Sequence, residues 1–212
     1  MTTLTVHDQH PAPAAEGVKK TIQPGWVRIM HWLNALAIGL MITSGWQIYN
    51  ASPLFKFNFS SSITLGGWLG GALLWHFAAM WLLMINGLAY LITGFATGRF
   101  AKKLFPISIR GVISDVTAAL TFKLSHDDLS KYNQVQKILY AGIIAVGIVI
   151  VLSGLSIWKP VQLQYLTALF GGYDIARYVH FFCMSAIVAF LVIHVLLALL
   201  VPKSLRAMII GR

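Results

Sequence analysis

Four apolar stretches, each long enough to cross a bilayer, constrain this chain more than any other feature. A hydrocarbon core about 30 Å thick needs roughly 20 helical residues to span it. Stretches at about 26–49, 65–95, 138–158 and 176–201 meet that length. Inside lipid no water satisfies the backbone N–H and C=O groups, so each stretch must close its hydrogen bonds internally as a helix. Composition agrees: of 212 residues, 58% are hydrophobic and 10% charged, where a soluble domain carries about 25% charged residues. The expected fold is all-α, an integral membrane four-helix bundle forming one domain over residues 25–212. Trp26, Trp46, Tyr49, Trp68, Tyr90, Trp158 and Tyr178 fall near the ends of the stretches, as an interfacial aromatic belt requires.

The formal charge of +10 does not point to nucleic acid. The basic residues flank apolar stretches instead of forming a stripe on a polar surface. Their distribution sets orientation. Lys19, Lys20 and Arg28 precede the first span, seven Lys and Arg residues lie between the second and third, and Lys203, Arg206 and Arg212 follow the fourth. Only Lys56, Lys159 and Arg177 lie on the other side. Thirteen against three predicts cytoplasmic N- and C-termini. Residues 1–24 are polar, hold Pro11, Pro13 and Pro24, and contain no apolar run. They are expected to form a disordered cytoplasmic tail and not a cleaved signal peptide. In the cytoplasmic loop 96–136, Ile109, Val112, Ile113, Val116 and Leu120 recur at helical spacing. This predicts an amphipathic helix, lying on the membrane surface or packed beneath the bundle. Ser125 and Asp128 resemble a cap before a further short turn. No internal repeat is evident.

The chemistry rests on histidine. His7, His10 and His126 lie in the tail and the cytoplasmic loop and are expected to be solvated and inert. His31, His76, His180 and His194 lie inside spans, where an ionisable side chain points to function. His180 and His194 are fourteen residues apart, which places them on nearly one helix face, roughly 21 Å apart along the axis. One helix therefore offers an imidazole near each membrane surface, and two cofactors stacked across the bilayer would use that arrangement. Depth pairs His31 with His194 toward the cytoplasm, and His76 with His180 toward the outside. The third span, which has no histidine, completes the wall.

Imidazoles from facing helices are axial ligands of b-type haem, so two bis-histidine haems in the bundle core are expected. Small residues leave room for a flat macrocycle: Ala35 and Gly39 after His31, Gly71, Ala72 and Ala79 around His76, and Gly147 and Gly154 on span three. Arg28 and Arg177 each stand three residues before a histidine, about one turn outward on the same face. Each could pair with a haem propionate or act as an interfacial anchor. Asn34 and Asn86 are expected to serve helix packing. Cys183, the sole cysteine, reads as a core thiol, and with no CxxCH motif a c-type haem attachment is excluded.

The chain resembles the bacterial cytochrome b561 family in its broad sense, which includes the cytochrome b subunits of nickel-iron hydrogenase, formate dehydrogenase and thiosulfate reductase. The resemblance covers about residues 22–212. It rests on Arg28, His31 and Trp32 at the start of span one, His76 on span two, and His180 with His194 on span four. Lys131-Tyr132-Asn133, Gln136-Lys137 and Tyr140 before and within span three are also similar. The resemblance implies two haem b groups with bis-histidine ligation, electron exchange with membrane quinone, and residence in the bacterial inner membrane. The long loop between spans two and three is more like the subunits that serve a periplasmic oxidoreductase, including molybdopterin enzymes, than like the short free-standing members. Three readings follow. The first is an electron-transfer subunit linking quinone to an extracytoplasmic redox partner. The second is a free-standing superoxide:quinone oxidoreductase. The third is a histidine-lined metal transporter or channel, against which stands the absence of acidic residues deep in any span.

The charge bias generates a direct test. A reporter active only outside the cytoplasm should be silent when fused to the C-terminus and active when inserted near Asn58. The opposite pattern overturns the orientation.

Overall fold

The computed structural model describes residues 23–121 and 132–211. His7, His10, His126 and the Ser125–Asp128 cap lie outside them. Among the described residues the elements are helices: α1 (Gly25–Ala51), a 3-10 turn (Ser61–Ile63), α2 (Leu69–Ala96), α3 (Arg99–Leu104), α4 (Ile109–Leu120), α5 (Gln134–Trp158), α6 (Gln164–Leu169), α7 (Tyr173–Leu200) and α8 (Pro202–Ile210). Helices α1, α2, α5 and α7 are long and apolar enough to cross a membrane, and the protein is a multi-pass membrane protein.

Local sequence explains where the spans begin. Helix α2 starts four residues later than its apolar pattern suggests, because Gly66 and Gly67 take positive φ angles of 109° and 72° and Trp68 is extended. A backbone with φ > 0 is open to glycine at little cost and interrupts a right-handed helix. Helix α5 starts earlier than hydropathy suggests, because Asn133 and Gln136 form a reciprocal capping box. The Asn133 side chain accepts from the Gln136 backbone N–H at 2.7 Å, and the Gln136 side chain accepts from the Asn133 N–H at 3.1 Å. Two donors without helical partners are thereby satisfied.

The predicted loop helix is α4. Asp115 accepts from the backbone N–H of Gln134 at 2.6 Å and ties α4 to the first turn of α5. Ile109, Ile113 and Val116 remain exposed. Short helices α3, α6 and α8, which hydropathy did not mark, close the two ends.

The four spans form two antiparallel hairpins. Helix α1 runs along α2 and α5 along α7, whereas the spanning helices of one hairpin approach those of the other at few points. Lipid tails are as apolar as leucine, so helices associate in membranes through close packing of small residues and interhelical hydrogen bonds. Both devices hold the first hairpin. Ala37, Ala72 and Ala79 are buried, and Asn86 Nδ2 donates to the carbonyl of Met30 and to Asn34 Oδ1, both at 2.8 Å. Asn34 and Asn86 thus pack the helices together as their burial in a span suggested.

The ends of the bundle differ. At the end where α1 starts and α7 finishes, here the N-terminal end, α8 turns back onto α1. Arg28 donates to the carbonyl of Ile209 at 3.2 Å, and Trp32 Nε1 to that of Met208 at 3.3 Å. Trp26 and Tyr90 meet there with ring centres 6.3 Å apart. At the far end, residues 52–68 fold over the bundle. Asn50 exchanges two 2.8 Å hydrogen bonds with the backbone of Phe59. Phe55 and Phe57 pack on Phe181 at 5.3 and 6.4 Å.

Interhelical hydrogen bonds in membranes contribute about 0.6 kcal/mol on average and up to about 1.7. Asn86→Ala removes two of them, so it should destabilise the protein by about 1 kcal/mol in detergent unfolding, read by circular dichroism. A variant as stable as the parent would show that this pair does not hold the hairpin.

Candidate functional site

The four membrane histidines come together in two pairs at different depths. His31 on α1 faces His194 on α7 with ring centres 6.0 Å apart. His76 on α2 faces His180 on α7 with ring centres 6.5 Å apart. These are the pairs that depth suggested, and each joins the α1–α2 hairpin to the α5–α7 hairpin. A metal–imidazole bond is about 2 Å long. Adding about 1 Å from ring nitrogen to ring centre on each side, one metal between two facing imidazoles separates their centres by about 6 Å. Both pairs have that spacing.

Two protein ligands are few for a bare metal ion, since structural zinc takes four. Among the described residues no group of three or more His, Cys, Asp or Glu could hold a metal. A porphyrin supplies its own four equatorial nitrogens and needs only two axial ligands. It also needs space, and the packing provides it. Among the described residues, no side chain larger than the serines Ser44, Ser153 and Ser156 is fully buried. The spanning helices of the two hairpins approach one another at few points, and Ser44 and Ser153 are the small side chains set against the His76 and His180 rings. The residues present therefore fit a haem of the b type at each pair.

Two serines, which the sequence reading did not single out, complete the far-end pair. Ser44 Oγ lies 3.0 Å from His76 Nδ1, and Ser153 Oγ lies 3.1 Å from His180 Nδ1. His180 Nδ1 is also 3.1 Å from the carbonyl of Ile150. A carbonyl only accepts, so His180 Nδ1 carries its hydrogen. Ser44 already donates its hydroxyl hydrogen to the carbonyl of Leu40 at 2.5 Å, so it accepts from His76 Nδ1–H. In both rings the lone pair is left on Nε2, the nitrogen free to ligate. A glycine follows each serine. A Cβ on Gly45 would sit 3.4 Å from His76 Cε1, and one on Gly154 would sit 3.1 Å from His180 Cε1. A Ser-Gly dipeptide on the first helix of each hairpin thus cradles a histidine on the second. The two-residue recurrence at 44–45 and 153–154 is too short to register as a repeat.

The N-terminal pair is held differently. Phe190 stacks on His194 at 5.6 Å with planes 10° apart. Trp32 meets His31 edge-on at 5.3 Å. Among the described residues no hydrogen bond reaches either ring.

The two arginines are partly engaged. Arg28 holds α8 through Ile209, and its Nε is buried with no hydrogen-bond partner among the described residues. Arg177 donates to the carbonyl of Ser52 at 2.5 Å and to its Oγ at 3.1 Å, fastening the far-end loop to α7. Cys183 is a free thiol of intermediate burial.

Four spanning helices that set two facing imidazole pairs at different depths define a membrane cytochrome of the b type. The chain belongs to the prokaryotic cytochrome b561 family, whose family model matches residues 22–211. Members of that family bind haem b, typically through histidine. The chain is also similar to a putative protein-methionine-sulfoxide reductase subunit, YedZ1, of Azospira oryzae. The two are 55% identical over 190 residues, covering 90% of this chain and 96% of that relative.

The glycine contacts can be tested on the haem itself. Gly154→Val should push the His180 ring aside and lower haem bound per protein in a pyridine haemochrome assay. Gly45→Ala, whose Cβ finds ordinary contact at 3.4 Å, should leave it unchanged. Equal haem in both variants would show that the His180 cradle does not position the ring.

Proposed function

We propose that this protein is a di-haem electron-transfer subunit linking the membrane quinone pool to a redox enzyme outside the cytoplasm. The observation that carries the reading is the pairing of His31 with His194 and of His76 with His180, at the spacing of two imidazoles on one metal. His31 and His194 hold one haem b, and His76 and His180 the other. Bound there, each haem carries one electron at a time, and two strong axial ligands leave no open position for bond-making at iron. The protein's task is to place the ligands at two depths, fix their tautomers and exclude water.

The basic bias supports a cytoplasmic N-terminal end, with residues 1–24 and the loop 96–136 on that side. Haem propionates would point toward the nearest surface, where Arg28 and Arg177 stand one turn outward of His31 and His180. The buried, unpaired Nε of Arg28 is a donor available for that purpose.

The likeness to a protein-methionine-sulfoxide reductase subunit supports a partner enzyme of that kind, docked at the far end. Reduction of methionine sulfoxide to methionine and water takes two electrons and two protons. Quinol oxidation to quinone releases the same number of each. Electrons would then pass singly through the bundle, twice per turnover, while the sulfur chemistry occurs on the partner. The near full-length match to a named subunit favours this over a free-standing superoxide:quinone oxidoreductase.

The test combines ligand variants with a donor. His31→Ala and His194→Ala should lose the same one of two haems, and His76→Ala and His180→Ala the other. Within each pair the double variant should match either single one, because both ligands serve one site. A quinol analogue should reduce both haems of the purified protein under anaerobic conditions. If His31→Ala and His180→Ala share a phenotype, the pairing is wrong. Full haem loading without reduction by any quinol removes the quinone role.

A further inference from the structure

The two histidine pairs differ in what surrounds them, and the difference bears on the energy of an electron at each. We propose that the Ser-Gly cradles at Ser44-Gly45 and Ser153-Gly154 give the far-end haem the lower midpoint potential of the two. The proposal rests on the di-haem reading above. An electron shared by the two haems then resides mainly at the N-terminal end, on the haem held by His31 and His194.

The direction follows from where the hydrogens are. Ser44 gives its hydroxyl hydrogen to the carbonyl of Leu40 at 2.5 Å, and Ser153 gives its own to the carbonyl of Ile150 at 3.1 Å. Each serine turns a lone pair to an imidazole Nδ1–H, at 3.0 Å for His76 and 3.1 Å for His180. His180 Nδ1 has the Ile150 carbonyl as a second acceptor at 3.1 Å. Drawing on Nδ1–H raises the basicity of Nε2. A more basic axial ligand stabilises the ferric over the ferrous state and lowers the potential.

Serine in a membrane helix commonly bonds the carbonyl three or four residues back, and by itself that bond is unremarked. Here it fixes both serines as acceptors toward histidine, on two different helices. Gly154 admits the His180 ring at a distance where a Cβ would crowd it, and Gly45 lies in ordinary contact range of the His76 ring. At the N-terminal end, His31 and His194 are held by Trp32 and Phe190, and among the described residues no oxygen hydrogen-bonds either ring.

Fixed charge acts in the same direction. Arg28, Arg99, Lys102, Lys137, Lys203 and Arg206 crowd the N-terminal end, where Asp115 is the acid among the described residues. The far end has Lys56, Lys159 and Arg177, with Asp174. Oxidising a haem iron adds a positive charge, and nearby cations oppose it. The haem near the larger cation cluster is therefore the easier to keep reduced. Delivery of electrons at the far end must then be drawn by a partner of higher potential than the far-end haem.

An optical redox titration of the purified full-length holoprotein, and of variants, tests this. The wild-type protein should titrate as two one-electron components. His76→Ala should leave only the higher-potential component and His31→Ala only the lower. Ser44→Ala and Ser153→Ala should each move the lower component upward and leave the higher one in place. Ser44→Thr, which keeps a hydroxyl, should titrate like the parent. The proposal is overturned if the component surviving in His76→Ala is the lower one, or if the serine variants move both components equally or neither. Should a serine variant not bind haem, the two histidine variants decide alone. A wild-type protein with fewer than two haems would overturn the di-haem reading along with the proposal, and heme quantification before titration separates that result from the others.

Discussion

Pairs of imidazoles reaching across the gap between two helical hairpins are the contacts on which the rest of this bundle depends. Each hairpin is internally cohesive. Buried alanines and the Asn86 hydrogen bonds to Met30 and Asn34 join α1 to α2, and α5 lies along α7. Between the hairpins the spanning helices approach at few points. Lipid supplies no hydrophobic force to close that gap. On the proposed di-haem reading, a cofactor ligated from both sides would supply it, held by His31 and His76 on one hairpin and His180 and His194 on the other. Helix α7 provides one histidine to each pair, so its fourteen-residue histidine spacing sets the vertical separation of the two pairs.

A cofactor in that position has a consequence for packing. Globular cores are filled by large side chains that interdigitate, yet here no described side chain larger than serine is fully buried. The small residues near the middle of the spans serve two purposes. They let paired helices approach closely, and on the proposed reading they would keep bulk away from a flat macrocycle. Outward-facing leucine, isoleucine and tryptophan are exposed in large numbers, as expected where lipid is the solvent. The amphipathic helix α4 also leaves its apolar stripe of Ile109, Ile113 and Val116 exposed.

The ends of the bundle divide the remaining work. Helices α3, α4 and α8 lie at the cation-rich end, where α8 packs on Arg28 and Trp32. The aromatic cluster of Tyr49, Phe55, Phe57 and Phe181 covers the far end, fixed by Asn50 and by the Arg177 hydrogen bonds to Ser52. Arg28 and Arg177 illustrate how one residue type serves several needs in lipid. Each lies one turn outward from a histidine, each anchors a backbone segment, and the buried Nε of Arg28 has no partner among the described residues.

Hydropathy and histidine spacing determined much of this protein without coordinates. Four spans, their antiparallel order, the amphipathic loop helix and the pairing of His31 with His194 and His76 with His180 all follow from period, length and depth. These are one-dimensional quantities, because a bilayer turns position along the chain into position across the membrane. The tertiary structure decided what depth leaves open. Helix α2 begins at Leu69 because two glycines take φ angles that a helix does not, and α5 begins at Gln134 because of a side-chain cap. Ser44 and Ser153 became partners of histidine only when neighbouring helices set their facing angles, since serine is common in spans and its spacing from His76 or His180 carries no period. The hydrogen on Nδ1 depends on Ser44 of α1 for His76, and on Ser153 and the Ile150 carbonyl of α5 for His180, and such convergence exists only in three dimensions.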